Sequence, residues 1–269
     1  LSDEATSATK GRVFGFHRSM DTIGAVLGPC LALLYLHFFP GQYLNLFYLA
    51  FFPALFAIGL TFLLKDKKTA STNDLARPTF TESLSFWKKS PVLYRQVATA
   101  LLVFYLFNSS DIFLLIKIRE AGFSDTEVIS MYIFYNMTYV LISFPAGVFG
   151  DRFGLKKALM VGLVMFCITY AGMAFSGQAW QFLVLFFMYG AYAAFVEGNA
   201  KAWLSNIVSP DDTGKALGMF SGFQSICALF ASSITGILWY KIGSGAALMI
   251  TAFGAAAVLV WMSRLPAGS

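Results

Sequence analysis

The chain alternates long apolar runs with short polar segments, and the runs share nearly one length. Eight of them lie near 18–39, 43–64, 94–116, 126–149, 157–176, 180–203, 216–239 and 244–263. A helix of about 20 mostly apolar residues crosses a bilayer, so each run is long enough to cross once. The runs are continuously apolar and lack the period-two alternation of a barrel strand. Lipid offers backbone amides no partners, which leaves helices as the reading. The pattern predicts an all-α integral membrane protein with eight transmembrane helices.

Composition agrees. Of 269 residues, 58% are hydrophobic and only 12% are charged. A soluble domain of this length has no core large enough to hide that much apolar surface. The net charge of +5 is unevenly spread. Threading the spans puts segments near 1–18, 65–95, 150–157, 201–215 and 264–269 on one side, with 16 of the 19 Lys and Arg residues. The other side holds Lys117, Arg119 and Lys241. The first side is therefore expected in the cytoplasm, with the N-terminal segment, a linker and the C-terminus. The basic surplus is a topology signal, and no nucleic-acid partner is expected. Cys30, Cys167 and Cys227 all fall inside spans, an odd number that implies no disulfide framework. With only His17 and His37 present, no metal site of His/Cys type is expected.

One polar island interrupts this pattern most sharply. Gly147-Val148-Phe149-Gly150-Asp151-Arg152-Phe153-Gly154-Leu155-Lys156-Lys157 sits between two spans and reads as a tight cytoplasmic turn. Its pattern, G-x-x-x-D-R-x-G-x-K-K, resembles the signature loop of the major facilitator superfamily of secondary transporters. An internal repeat points the same way. Gly11-Arg12-Val13-Phe14-Gly15-Phe16 enters the first span and Gly214-Lys215-Ala216-Leu217-Gly218-Met219 enters the seventh. Four spans precede the second copy after the linker and none precedes the first. The repeat thus predicts four further spans, roughly 130 residues, upstream. The resemblance implies a major facilitator fold of two six-helix halves, with eight transmembrane helices present of an expected twelve. Residues 1–64 would be the last two helices of the N-terminal bundle, 65–92 a cytoplasmic linker and 93–269 the C-terminal bundle. A complete eight-helix protein is the alternative. Within the linker, 81–89 could form an interfacial helix with Leu84 and Trp87 toward the membrane, or a solvated strand of chain with one aromatic anchor.

Ionisable groups inside spans are costly and mark function. Asp111 lies in Asn108-Ser109-Ser110-Asp111, with Asn108 three positions away and so on the same helix face. Glu197 precedes Lys201 by four, the favourable order for a helical ion pair. Each acid is a candidate for coupling a cation or contacting substrate, and each has a structural alternative: a solvated outer mouth for Asp111, a fixed partner of Lys201 or of the 150–157 loop for Glu197. Tyr132, Asn136, Tyr139 and Ser143 form one polar helix face, either cavity lining or interhelical glue. Pro145 is expected to kink or end that helix. Ser221, Gln224, Ser225 and Ser232 give a weaker stripe. Asp21 could cap its helix or pair with Arg18.

Further roles come from the resemblance. Asp151, Arg152, Lys156 and Lys157, framed by Gly147 and Gly154, would form a gating loop in which Asp151 accepts from amides at the start of the first span. Gly24-Ala25-Val26-Leu27-Gly28-Pro29 resembles part of a motif of the antiporter branches, implying close contact through two glycines and a bend at Pro29. Leu31 and Ala32 stand where two more glycines are usual. Leu155 occupies a position that is often basic, which weakens a charge relay from there to Glu197.

The expected function is secondary transport of a small organic solute by rocker-switch alternating access in the cell (inner) membrane. No cofactor is expected; a proton or other cation gradient would drive it, with export favoured over uptake. The expected partners are the solute, the lipid bilayer and the missing N-terminal helices. A non-transporting sensor or assembly subunit remains an alternative. An intramembrane enzyme fits poorly, because Asp111 and Glu197 lie at different depths and no nucleophile–base set is present.

Overall fold

The computed structural model describes residue 6 and residues 8–62 and 86–266. Helices dominate it, and no strand occurs among the described residues. They are α1 (Lys10–Phe38), α2 (Tyr43–Thr61), α3 (Val92–Phe107), α4 (Ile112–Glu120), α5 (Asp125–Phe153), α6 (Leu155–Phe175), α7 (Ala179–Ile207), α8 (Thr213–Ile242) and α9 (Ser244–Ser263). Taking α3 and α4 as one span, eight segments are long and apolar enough to cross a membrane. Most of the linker expected at 65–92, Leu84 included, lies outside the described residues. Within its described end, 86–89 is one helical turn in which Phe86 and Trp87 contact Tyr94 edge-on.

The best-buried element is α7, which packs on α5, α6 and α1. Around it, α9 packs on α6 and α3, and α8 on α3. The core is aromatic: Tyr94, Phe104, Phe166, Tyr170, Phe182, Phe186 and Phe220 are all shielded. In contrast, α2 packs mainly on α1 among the described residues and buries none of its own.

The tightest seam joins α1 to α5. Lipid is as apolar as the side chains, so helices associate there through close packing rather than through expulsion of water. Small residues permit it. Gly11 and Gly15, four apart on α1, face Ser143 and Gly147, four apart on α5. A Cβ on Gly15 would lie 2.5 Å from the Ser143 carbonyl oxygen, and one on Gly11 would lie 2.6 Å from that of Gly147. The backbones therefore touch directly.

Three expectations about local structure need correction. The polar island is not a loop: α5 runs on to Phe153, so Gly147, Asp151 and Arg152 are helical. The reversal is confined to Gly154, whose φ of +104° lies in the left-handed region that favours glycine. Pro145 does not end α5 but sits inside it, in the stretch where the helix is braced against α1 and α7. The third span is interrupted between Phe107 and Ile112, so Asn108 and Asp111 share no helix face. Asn and Ser side chains compete for backbone groups and favour such breaks.

Substituting the seam glycines separates contact from propensity. Gly15→Val and Gly147→Ala force two backbones apart and should each cost about 1–3 kcal/mol. Gly24→Ala adds a methyl where no atom lies within 4 Å. Thermal unfolding in detergent should show a lowered Tm for the first two and an unchanged or raised Tm for the third.

Candidate functional site

The seam carries a charged clasp at one end. The first turn of a helix leaves amides without partners, and Thr9, ahead of α1, contributes no side-chain cap. Asp151, in the last turn of α5, supplies one across the seam. Its Oδ1 accepts from the Gly11 amide at 2.7 Å and its Oδ2 from the Arg12 amide at 2.9 Å. One carboxylate thus satisfies two orphan donors and places negative charge at the positive end of the α1 dipole. Lys10 donates to the Ser205 carbonyl at 3.0 Å, tying the same end of α1 to α7.

The other island residues look elsewhere. The Arg152 guanidinium lies 5.3 Å from the Phe153 ring centre. Lys156 donates to the Ser263 carbonyl at 2.9 Å and to the Leu265 carbonyl, where the α9 dipole is negative. Lys157 is exposed. A cavity of about 840 Å³ opens here, with Asp151, Gly154, Lys156, Lys157 and Trp203 in its wall.

Two turns further along α1 lies Arg18. Its Nε donates to the Tyr139 hydroxyl at 2.5 Å and its Nη1 to Asp21 Oδ2 at 2.7 Å. Nearby, the Ser19 hydroxyl donates to the Val140 carbonyl at 3.0 Å. Glu197 makes no ion pair with Lys201 among the described residues. Its carboxylate charge acts instead on Arg18, Tyr105, Tyr139 and Tyr192, so it belongs to the interior between α1, α5 and α7.

The polar face of α5 divides by role. Asn136 donates to the Tyr132 carbonyl at 2.9 Å and Ser143 to the Tyr139 carbonyl at 2.7 Å, both within the helix. Among the described residues, the Tyr139 hydroxyl alone of this set bonds to another helix, at Arg18. Tyr132 is half-buried and contacts the Tyr135 ring. Gln224 on α8 is half-buried and makes no hydrogen bond among the described residues. Ser232 accepts from the Ser110 amide at 3.1 Å.

At the far end, Asn108 Nδ2 donates to the Tyr192 hydroxyl at 2.9 Å. Asp111 precedes α4 without capping it, and its charge acts on Tyr135, Tyr170 and Tyr189. Asp111 and Glu197 do not meet. Buried tyrosine rings fill the space between them: Tyr189 lies 5.0 Å from Tyr135 and 5.4 Å from Tyr192, centre to centre. Tyr170, Tyr189 and Tyr192 lie outside the residues expected from sequence, and Arg18 enters there only as a partner of Asp21. An arginine within a predicted helix next to an apolar run, and two tyrosines three apart on the next-to-acid face of α7, were the available signals.

The expected close contact at Gly24 and Gly28 is absent, since no neighbour among the described residues lies within 4 Å of a Cβ at either. Both sit on an exposed face of α1, beyond the stretch that α5 approaches closely. Pro29 stays within α1. The repeat copies also differ in surroundings: Gly214 and Gly218 are open where Gly11 and Gly15 are clamped.

Comparison with known proteins adds a family. The profile of the Major Facilitator Superfamily matches residues 112–269. An uncharacterised MFS-type transporter of Methanocaldococcus jannaschii is 29% identical over 89% of this chain and 60% of its own length. The tetracenomycin C resistance and export protein of Streptomyces glaucescens is 27% identical over 43% of this chain and 22% of its own. The multidrug resistance protein MdtG of Proteus mirabilis is 29% identical over 52% and 36%. The chain spans three fifths or less of the length of each of these relatives.

The clasp has a local readout. Asp151→Asn keeps the shape but removes the charge and turns one acceptor into a donor facing an amide. Hydrogen exchange followed by mass spectrometry should show the 10–14 segment exchanging about tenfold faster, the equivalent of losing about 1.4 kcal/mol of protection. Unchanged exchange would mean that the clasp does not hold α1.

Proposed function

Because the chain belongs to the major facilitator superfamily, we propose that it forms part of a secondary transporter that moves a small organic solute across the cell membrane by alternating access. In this reading α1 and α2 belong to one bundle, residues 93–269 form the other, and the Asp151 end of the seam faces the cytoplasm. The observation that carries it is the Asp151 clasp on the α1 amides. A rocking motion between bundles needs an interface with two discrete arrangements. The α1–α5 seam relies on backbone contact and is latched at one end by two hydrogen bonds to one carboxylate. Such a latch closes the cytoplasmic side when made and frees it when broken.

The driving force would be a proton gradient, taken up at Glu197. That carboxylate shares the interior with Arg18 of α1. When α1 swings away, Glu197 loses the opposing guanidinium. Lys201, one turn along α7, stands at the same end of the helix as the clasp. Export is the favoured direction, since two of the similar proteins carry resistance or export in their names.

Proteoliposomes with an imposed pH gradient test this, with tetracenomycin C as the first probe. The expected result is gradient-driven accumulation that Glu197→Gln lowers at least about tenfold, with equilibrium binding retained. Accumulation indifferent to both the gradient and Glu197→Gln would overturn the proton-coupled reading.

A further inference from the structure

The interrupted third span holds oxygen atoms that the protein itself does not use. Asn108 Oδ1 and Ser109 Oγ are both buried without a hydrogen-bond partner. Ser109 is only 3% exposed. A buried acceptor left without a donor is costly, and two on adjacent residues call for a missing ligand. The neighbours cannot fill the need. Asn108 already spends its Nδ2 on the Tyr192 hydroxyl, and the Tyr170 hydroxyl donates to the Ser109 carbonyl at 3.4 Å. Lys117, the nearest cation in sequence, donates to Ser244 at 3.1 Å.

Asp111 completes the set. It stands at the start of α4, yet no side-chain cap bond to that helix forms. It is half-buried, and its Oδ1 accepts from the Ser110 hydroxyl at 3.4 Å, which leaves the second carboxylate oxygen for a ligand. Four consecutive residues therefore carry an amide oxygen, a hydroxyl and a carboxylate. The C-terminal end of α3 adds the negative pole of its dipole at the same place. All the candidate ligand atoms are oxygen, which selects a hard cation. The single carboxylate balances one positive charge, and no group of three His, Cys, Asp or Glu that could hold a metal occurs among the described residues. Interrupted membrane helices offer such ions an unwound backbone and two helix poles.

We propose that the break at Asn108–Asp111 binds a dehydrated monovalent metal cation of sodium's class, through Asn108 Oδ1, Ser109 Oγ and the Asp111 carboxylate. The site deepens the transport reading by supplying a second coupling ion, distinct from the proton at Glu197. Its test is equilibrium binding, which does not depend on transport.

The measurement is binding of radioactive sodium-22 to the purified protein in nanodiscs, with choline holding ionic strength constant. The wild type should bind saturably, with displacement by unlabelled sodium. Asp111→Asn should abolish binding, Ser109→Ala should weaken it about tenfold or more, and Ser233→Ala, outside the site, should leave it unchanged. Ser109→Ala also guards against misfolding. It removes an acceptor that has no partner, so its Tm without sodium should equal or exceed that of the wild type, and sodium should raise it less. The absence of saturable, displaceable binding in the wild type, or equal binding by wild type, Asp111→Asn and Ser109→Ala, would overturn the proposal.

Discussion

The backbone contact between α1 and α5 is the constraint on which the remaining features depend. Helices in lipid gain little from hiding apolar side chains from each other, because lipid hides them equally well. Close approach must then supply the attraction, and only small residues allow it. Gly11, Gly15, Ser143 and Gly147 meet along one line, with no room for a Cβ at any of the three glycines. That approach brings the end of α5 within reach of the first amides of α1. Asp151 can cap a helix on another part of the chain only because the glycines have removed everything between them.

The same closeness governs the charged groups inside the membrane. Arg18 sits one turn beyond Gly15 and reaches Tyr139 because the helices are held together there. Glu197 shares that interior, and Asp111 lies beyond a stack of tyrosine rings. Hydroxyls and rings such as these make a polar path through an apolar bundle without adding net charge. The proposed proton and sodium sites stand at its two ends. Their separation is consistent with two ions that act at different stages of one cycle.

The class of fold was legible in the sequence because bilayer thickness dictates the length of each apolar run. The family was legible in the eleven residues from Gly147 to Lys157, and its profile matches over residues 112–269. Finer structure was not. The reach of α5 to Phe153 depends on α1 bracing polar residues that no local propensity would keep helical. The break at Asn108 was hidden because the apolar content of 94–116 continues through it. The Glu197–Lys201 pairing suggested by spacing does not form among the described residues, while Arg18 crosses from α1 to Tyr139 of α5, a partner distant in sequence. Spacing along one helix reports which side chains are able to meet; it does not report which partner from another helix arrives first. The openness of Gly24 and Gly28 makes the same point in reverse, since a small-residue motif becomes a contact only when another helix lies against it.

The central claim is that the α1–α5 seam has two arrangements and that Asp151 biases the choice between them. Double electron–electron resonance between spin labels at Phe16→Cys and Phe153→Cys, both exposed positions on the two helices, measures this directly in nanodiscs. The account predicts two distance populations, with Asp151→Asn moving weight to the longer one. A single distribution, unchanged by Asp151→Asn, would contradict it.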